Sequence, residues 1–80
     1  MKINFELMTE FLKRQRFEQK KVQSDIAKEI GVSVTTYRNY ENNPKTIDLE
    51  TGIKINQALN CNIFEFFLDS MLQNATKHQE

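Results

Sequence analysis

The fold is decided by the stretch QSDIAKEIGVSVTTYRNYEN, residues 23–42, in which two short segments of helical periodicity meet at a glycine. In the first segment three apolar residues share one helix face: Ile26, Ala27 and Ile30. Gly31 follows them, and glycine readily takes the left-handed backbone conformation that ends a helix. Val32 then turns inward, and Ser33 provides a side-chain cap for a second helix. The stretch therefore predicts two helices joined by a tight turn.

The second of these helices has two unlike sides. At about 100° per residue, one side carries Tyr37, Tyr40 and Glu41, and the other carries Thr35, Arg38, Asn39 and Asn42. Short amide and hydroxyl side chains suit the reading of base edges, because Asn pairs with adenine and Thr offers a hydroxyl and a methyl group. In the first turn, Val34 would add an apolar contact to a thymine methyl group. Two helices joined by a glycine-containing turn are typical of the helix-turn-helix, whose second helix enters the DNA major groove.

The composition predicts one small helical domain. The chain has 80 residues, 39% of them hydrophobic, including six Phe, and this is enough for a single core. Only two Gly and one Pro occur, which favours helices over a turn-rich β fold. Cys61 has no second cysteine to pair with, so a reducing compartment is expected. No apolar run is long enough to cross a bilayer, and we expect a cytoplasmic protein without a membrane partner.

The charge distribution says more than the total charge. The net charge is zero, so the chain is not a strongly basic domain of the kind that signals nucleic-acid binding by composition alone. Residues 1–40 hold eight basic and five acidic residues, whereas residues 41–80 hold three basic and six acidic residues. The basic half contains the two-helix stretch. A bias this small is also typical of ordinary solvated helix faces, and it supports DNA binding only together with the motif.

Three further helices are predicted around this stretch. Asn4 caps the first, which ends within residues 16–21, Asp48 caps the fourth, and Asn62 caps a fifth that runs from 63 to about 74. The apolar positions of the first helix are Phe5, Leu7, Met8, Phe11 and Leu12. Those of the fourth are Leu49, Ile53, Ile55 or Asn56, and Leu59. Gly52 in the fourth helix is explained by close helix–helix contact, and Asn60 suits the position just after its end.

The fifth helix is too apolar for a terminal helix with one buried face. Ile63, Phe66 and Phe67 would close the core. A neighbouring stripe contains Phe64, Leu68, Met71 and Leu72. An exposed apolar patch of this size marks an interface more often than bare surface, so the stripe is either a homodimer interface or, in part, an extra core layer over the first helix.

Candidate phosphate contacts lie at the start of the second helix and after the third. The second helix begins at Val22 or Gln23 without a Ser, Thr, Asp or Asn cap, so its N–H groups and positive dipole end can take an anion. A DNA phosphate would meet this demand, with the Gln23 amide as an additional donor, and water would meet it as well. Lys20, Lys21 and Lys45 are either further phosphate contacts or simply exposed lysines.

Residues 8–67 resemble the Cro/repressor-type helix-turn-helix family, also called lambda-repressor-like or XRE. The family pattern has a Gln at the start of helix 2, an apolar–Ala pair, an apolar–Gly–Val–Ser turn and an aromatic–Glu–Asn run. The matching residues are Gln23, Ile26-Ala27, Ile30-Gly31-Val32-Ser33 and Tyr40-Glu41-Asn42. Later matches are Leu49-Glu50-Thr51, Ala58-Leu59 and Ile63 to Phe67. Lys20-Lys21 replaces the common Gly–apolar pair of the family, and Val22 replaces its usual Thr cap.

The resemblance implies an all-α, compact five-helix domain, with the helix-turn-helix formed by helices 2 and 3. We expect residues 1–80 to form one domain in which 8–67 are the family-like core, 68–75 extend helix 5 as a candidate dimerisation segment, and 76–80 are a frayed tail. The implied base-contacting positions are Val34, Thr35 and Asn39. Gln23 and Asn42 are implied to hold phosphates, with Arg38 as a flanking or phosphate contact. Such proteins usually bind as dimers to half-sites about 34 Å apart.

Two functions from different classes fit these features. The first is a sequence-specific DNA-binding regulator, expected to be a repressor that binds double-stranded DNA as a homodimer. The second is a helix-turn-helix used for protein binding, such as an antirepressor or an antitoxin, which the neutral charge and the stripe of helix 5 favour. The sequence does not indicate an enzyme, because His78 and Cys61 stand alone and no phosphate loop or carboxylate pair occurs. No metal or cofactor is expected.

Overall fold

The computed structural model describes residues 4–69, and within that range the chain forms five α-helices and no strand. The helices are α1 (Phe5–Glu18), α2 (Gln23–Ile30), α3 (Val34–Asn42), α4 (Leu49–Leu59) and α5 (residues 63–69). A short 3-10 helix, Pro44–Thr46, connects α3 to α4. The predicted all-α fold, with α2 and α3 as consecutive helices, is confirmed. The part of the helix 5 extension after residue 69, the tail, Met71 and Leu72 lie outside the described residues.

The core lies where α2 packs against both α3 and α4. Its fully buried apolar side chains come from all five helices: Met8, Leu12, Ile26, Ala27, Ile30, Tyr37, Ile55, Leu59 and Ile63. The three positions predicted for the inward face of α2 are therefore all buried. Because α2 is surrounded on two sides, it fixes α3 at a defined angle to the rest of the domain.

The predicted helix caps are confirmed. The side chain of Asn4 accepts hydrogen bonds from the N–H groups of Glu6 and Leu7 at 3.1 and 3.3 Å. Asp48 accepts from the N–H of Thr51 at 2.7 Å, and Asn62 accepts from two N–H groups of α5 at 3.1 Å. Asn60 has a φ of 48° just after α4, the left-handed conformation expected there.

The junction between α1 and α2 turns without a glycine. Lys20 takes a φ of 56°, a left-handed conformation that costs an ordinary L-residue free energy. The N–H of Lys20 donates to the carbonyl of Phe17, and the N–H of Lys21 donates to that of Arg16, both at 3.0 Å. The end of α1 at Glu18 lies within the predicted boundary. The chain thus makes the turn that glycine would favour, with a lysine in the strained position.

The start of α5 closes the core against α1, as predicted. Ile63 is buried. The ring of Phe66 stacks on that of Phe11 with 4.4 Å between centroids, and Phe67 meets Phe5 edge-on at 5.8 Å. These aromatic pairs add to the area that they bury. Leu7, predicted to face the core, is instead exposed, because the buried stripe of α1 runs along positions four residues apart through Met8 and Leu12.

The predicted inward face of α4 was wrong in part. Leu49 is 70% exposed and Ile53 is 46% exposed, whereas Ile55 and Leu59 are buried. The true inward face is centred near Gly52, where an added Cβ would lie only 2.8 Å from Cζ of Phe64. The predicted reason for this glycine, close contact between helices, is confirmed. Since the closest contact falls on a residue without a side chain, the apolar pattern alone pointed to neighbouring positions.

Candidate nucleic-acid interface

The turn between α2 and α3 is held by backbone and side-chain hydrogen bonds. Gly31 has a φ of 79°, and the N–H of Val32 donates to the carbonyl of Ala27 at 2.9 Å. Val32 is half-buried against the core. Ser33 then accepts from the N–H of Thr36 at 3.1 Å and caps α3. The predicted helix, glycine turn and Ser-capped helix are all present, and together they fix the direction in which α3 leaves the domain.

The inward side of α3 is anchored by one aromatic ring and one carboxylate. Tyr37 is fully buried, Tyr40 is half-buried, and the side chain of Glu41 has no exposed surface. Burial raises the pKa of the Tyr37 hydroxyl above its usual value, and the nearby Glu41 carboxylate raises it further. The three residues predicted to share one side of α3 therefore all face the domain.

Glu41 is balanced by Arg16 from the end of α1. The Nε and one terminal nitrogen of Arg16 donate to the two carboxylate oxygens of Glu41 at 3.0 and 2.9 Å. The side chains are 9% and 0% exposed, and the ring of Phe17 lies 5.1 Å from the guanidinium carbon. Burial alone would raise the pKa of Glu41, but hydrogen bonds from Arg16 outweigh it and hold that pKa below its usual value. This is a buried, bidentate ion pair.

Sequence reasoning did not predict this ion pair. The signal for it was the spacing of Met8, Leu12 and Arg16, which are four residues apart and so lie on one helix face. An arginine that continues a buried stripe needs an anion, and Glu41 is the acidic residue on the inward side of α3.

Gln23 joins this ion pair to the outer surface. Its Nε2 donates to Oε1 of Glu41 at 3.3 Å, and its Oε1 accepts from Nε of Arg38 at 3.2 Å. Gln23 is half-buried and Arg38 is exposed. A residue predicted to bind phosphate thus also links two helices of the motif.

The outward side of α3 is exposed and free of carboxylates. The residues predicted to contact DNA from this helix are all exposed: Val34, Thr35, Arg38, Asn39 and Asn42. Arg38 is the one ionised side chain among them. Apart from Val34 in the first turn, these residues lie opposite the buried ring of Tyr37, so α3 can enter a groove without exposing its core contacts.

The other predicted phosphate contacts differ in their surroundings. Lys45 is exposed in the 3-10 helix, and Lys20 is exposed before α2. The ammonium group of Lys21 donates to the carboxylate of Glu29 at 3.1 and 3.3 Å and to the carbonyl of Ala58 at 2.9 Å. Lys21 thus caps the C-terminal end of α4, together with a hydrogen bond from Gln19 to the Leu59 carbonyl.

The start of α2 has no side-chain cap from Val22, as predicted. Sequence reasoning did not foresee that the carboxylate of Asp25 accepts a hydrogen bond from the Val22 N–H at 2.9 Å. This carboxylate places a negative charge in the first turn of α2, where it compensates part of the helix dipole. An added phosphate would therefore meet a weaker positive field than the bare helix end suggests.

Three other kinds of site have little support in the described residues: a reactive thiol, a metal site and a membrane-spanning helix. Burial raises the pKa of the Cys61 thiol to about 11, so it remains protonated and weakly reactive near neutral pH. Within residues 4–69, no group of three His, Cys, Asp or Glu side chains could hold a metal ion. No helix in this range is both long and apolar enough to span a membrane.

Known proteins support the assignment of the motif. A helix-turn-helix family model matches residues 12–66, more than half of the chain. Antitoxin HipB of Escherichia coli O6:H1 is 49% identical over 37 residues, which are 46% of this chain and 39% of that protein. The match thus covers well under two thirds of the length of this relative. No solved structure matches significantly. With a glycine turn, a Ser-capped α3 and a family match over the same residues, the chain belongs to the helix-turn-helix family of the Cro/repressor, or XRE, type.

Proposed function

We propose that the chain is a transcriptional regulator that binds double-stranded DNA sequence-specifically by placing α3 in the major groove. The observation that carries this proposal is the pair of faces on α3. One face is locked into the core by Tyr37 and Glu41, and the other presents exposed, mostly uncharged polar side chains. Family membership supports DNA binding in general. We propose repression as its effect, because occupancy of a DNA site excludes other proteins without any further activity.

We propose Val34, Thr35 and Asn39 as the base contacts. All three are exposed: Thr35 and Asn39 lie on the outward side of α3, and Val34 lies in its first turn, which enters the groove most deeply in this kind of motif. The Asn39 amide can donate to and accept from an adenine edge, and the methyl groups of Val34 and Thr35 can contact thymine. These are short side chains, so the backbone of α3 must approach the bases closely.

We propose that phosphates on either side of the groove are held by residues around α3. Gln23 and Arg38 are hydrogen-bonded to each other, and Asn42 and Lys45 are exposed at the end of α3 and just after it. Lys20 is exposed three residues before Gln23 in the chain. Lys21 remains a proposed phosphate contact, but it would first have to leave the carbonyl of Ala58 and the carboxylate of Glu29. Such contacts position the domain and carry no sequence information.

We also propose that the chain acts as a homodimer through an apolar surface on α4 and α5. We define this apolar surface as Leu49, Ile53, Phe64 and Leu68, with exposures of 70%, 46%, 37% and 56%. Phe64 lies over Gly52, so the two helices that carry these exposed residues meet at this point. Apolar groups gathered in this way indicate an interaction site. Leu68 and Phe64 belong to the stripe predicted from the sequence.

The DNA proposal is tested by selecting bound sequences from a random pool and then measuring affinity for the selected site. Asn39→Ala should lose about 1–3 kcal/mol of binding free energy at one base position and relax specificity there. Gln57→Ala is the matched control, because it removes an exposed amide from α4 and should bind like the wild type. No binding of the wild type at about 50 mM salt, where electrostatic contacts are strong, would refute the proposal.

The homodimer proposal is tested by sedimentation equilibrium. Leu68→Glu should convert the dimer into a folded monomer, since it places a charge in the apolar surface. Leu7→Glu is the control, because Leu7 is exposed on α1 outside that surface. A Leu68→Glu variant that keeps the dimer mass would show that the apolar surface around Leu68 is not the dimer interface.

A second candidate function is binding of another protein, as an antitoxin or antirepressor would do. Two observations favour it: the match to a protein named as an antitoxin, and the zero net charge of the chain. In this case the apolar surface would receive a different protein rather than a second copy. A chain that is monomeric alone and shows no salt-dependent DNA binding would support this candidate over the first.

A further inference from the structure

Gln23 lies between the buried ion pair and the exposed guanidinium of Arg38. We propose that Gln23 is a positioning residue, which holds Arg38 in place for a DNA phosphate and is itself held by Glu41. This inference rests on the proposed function, because it takes Arg38 as a phosphate contact. It adds that the uncharged amide of Gln23 changes DNA affinity mainly by positioning the charged guanidinium of Arg38.

The contacts form a chain of hydrogen bonds from the core to the surface. Arg16 donates to Glu41 at 2.9 and 3.0 Å, Gln23 donates to Glu41 at 3.3 Å, and Arg38 donates to Gln23 at 3.2 Å. The amide of Gln23 can have only one orientation here, since its nitrogen must face the carboxylate and its oxygen must face the Nε donor of Arg38. A flipped amide would bring two donors together at one end and two acceptors together at the other.

The chain ends on a long side chain that is otherwise exposed. An exposed arginine must lose much rotamer freedom when it binds a phosphate. The bond from Nε to Gln23 restricts the guanidinium before DNA arrives, and it leaves the two terminal nitrogens available for bidentate phosphate binding. Preorganisation of this kind lowers the entropy cost of association. Gln23 still keeps one amide hydrogen for a phosphate contact of its own.

The slope of log K against log salt distinguishes the two ways in which Gln23 can act. Each phosphate neutralised by a cation contributes about −0.9 to this slope. A neutral amide releases no counterion and therefore contributes nothing to it. Gln23→Met keeps the length and helix propensity of the side chain but removes both hydrogen bonds. If Arg38 needs Gln23 in order to bind a phosphate, this neutral substitution should reduce the magnitude of the slope by about 0.9 per bound domain. The loss of affinity from 50 to 200 mM salt should then be roughly threefold smaller per domain than in the wild type.

A double-mutant cycle and a matched control complete the experiment. Arg38→Ala should reduce the magnitude of the slope to the same extent, and Gln23→Met should change it little further when Arg38 is already absent. Asn39→Ala is the control, because it removes a neutral amide that makes no hydrogen bond to the Arg38 side chain and should weaken binding at unchanged slope. Weaker binding by Gln23→Met with the wild-type slope would overturn the inference. Absence of DNA binding by the wild type would instead overturn the proposed function.

The free protein provides a measurement that needs no substitution at Gln23. In the NMR spectrum of the wild type, the Nε–H of Arg38 should exchange with water more slowly than that of Arg14, which is exposed on α1. Equal exchange rates for the two arginines would show that Arg38 is not held and would also overturn the inference. This test remains decisive even if Gln23→Met fails to fold.

Discussion

Replacing Glu41 with glutamine should lower the free energy of unfolding by about 3–5 kcal/mol. The substitution removes the carboxylate that balances a guanidinium whose side chain is only 9% exposed, and it disrupts two charge-assisted hydrogen bonds of 2.9 and 3.0 Å. Domains typically have about 0.05–0.15 kcal/mol of stability per residue, which is roughly 4–12 kcal/mol for this chain. At the lower end of that range, the loss is large enough to unfold a substantial fraction of the variant at room temperature.

The matched variant removes both charges. Arg16→Met with Glu41→Leu leaves no unbalanced ion, and such apolar replacements of buried pairs are often neutral or stabilising. We expect this double variant to be more stable than Glu41→Gln by at least about 2 kcal/mol. Urea denaturation followed by circular dichroism at 222 nm measures both, and equal m-values would confirm that the same surface is exposed on unfolding.

Two results would refute this reasoning. A cost below about 1 kcal/mol for Glu41→Gln would show that water screens the ion pair as it does at a surface. A double variant as unstable as Glu41→Gln would show that the loss comes from packing or from the bond to Gln23, rather than from an unbalanced charge.

Three further predictions concern stability. Lys20→Gly should stabilise the domain by about 0.5–1 kcal/mol, because glycine takes the left-handed conformation without the cost that lysine bears. Asn60→Gly should stabilise it less, because Asn tolerates that conformation. Thermal melts compare the two variants. Gly52→Ala should stabilise the Phe64→Ala variant by about 1 kcal/mol through helix propensity. In the wild type it should stabilise less, because the new methyl group meets the ring of Phe64. Additive effects of the two substitutions in urea titrations would contradict this. Glu41 has a folded pKa below its unfolded value near 4.3, so its stabilisation is present above that pH and is lost as the pH falls through the folded pKa; the Glu41→Gln variant should lack this part of the acid sensitivity.

The features that the sequence predicted well depend on residues near each other in the chain. The glycine turn, the Ser33 cap and the two sides of α3 each follow from spacing within one or two helical turns, where geometry leaves few alternatives. The end of α1 was placed only within six residues, because no glycine or proline marks it. Lys20 makes the turn that a glycine would have signalled, so the local pattern carried no clear boundary.

The features that were missed depend on contacts between distant segments. Arg16 and Glu41 are 25 residues apart, and helical periodicity shows that each faces inward without showing that they meet. On α4, Leu49 and Ile53 are the more apolar choice, yet Gly52 makes the closest contact because Phe64 of α5 needs its missing side chain. A hydrophobicity pattern cannot identify such an inward-facing position, because Gly52 packs closely by having no side chain.

The zero net charge of the chain suggests that two copies are needed for strong DNA binding, and the salt dependence of affinity can test this. Of the proposed cationic contacts, Arg38, Lys45 and Lys20 are exposed, whereas Lys21 is bonded to Glu29 and to a backbone carbonyl. Three phosphates neutralised by one domain would give a salt slope of about −2.7, equivalent to a loss of about 40-fold in affinity from 50 to 200 mM salt. Two domains would give about −5.4 and a loss of about 2000-fold. A slope near −5 for the wild type, reduced to near −3 by Leu68→Glu, would therefore connect the apolar surface to the strength of DNA binding.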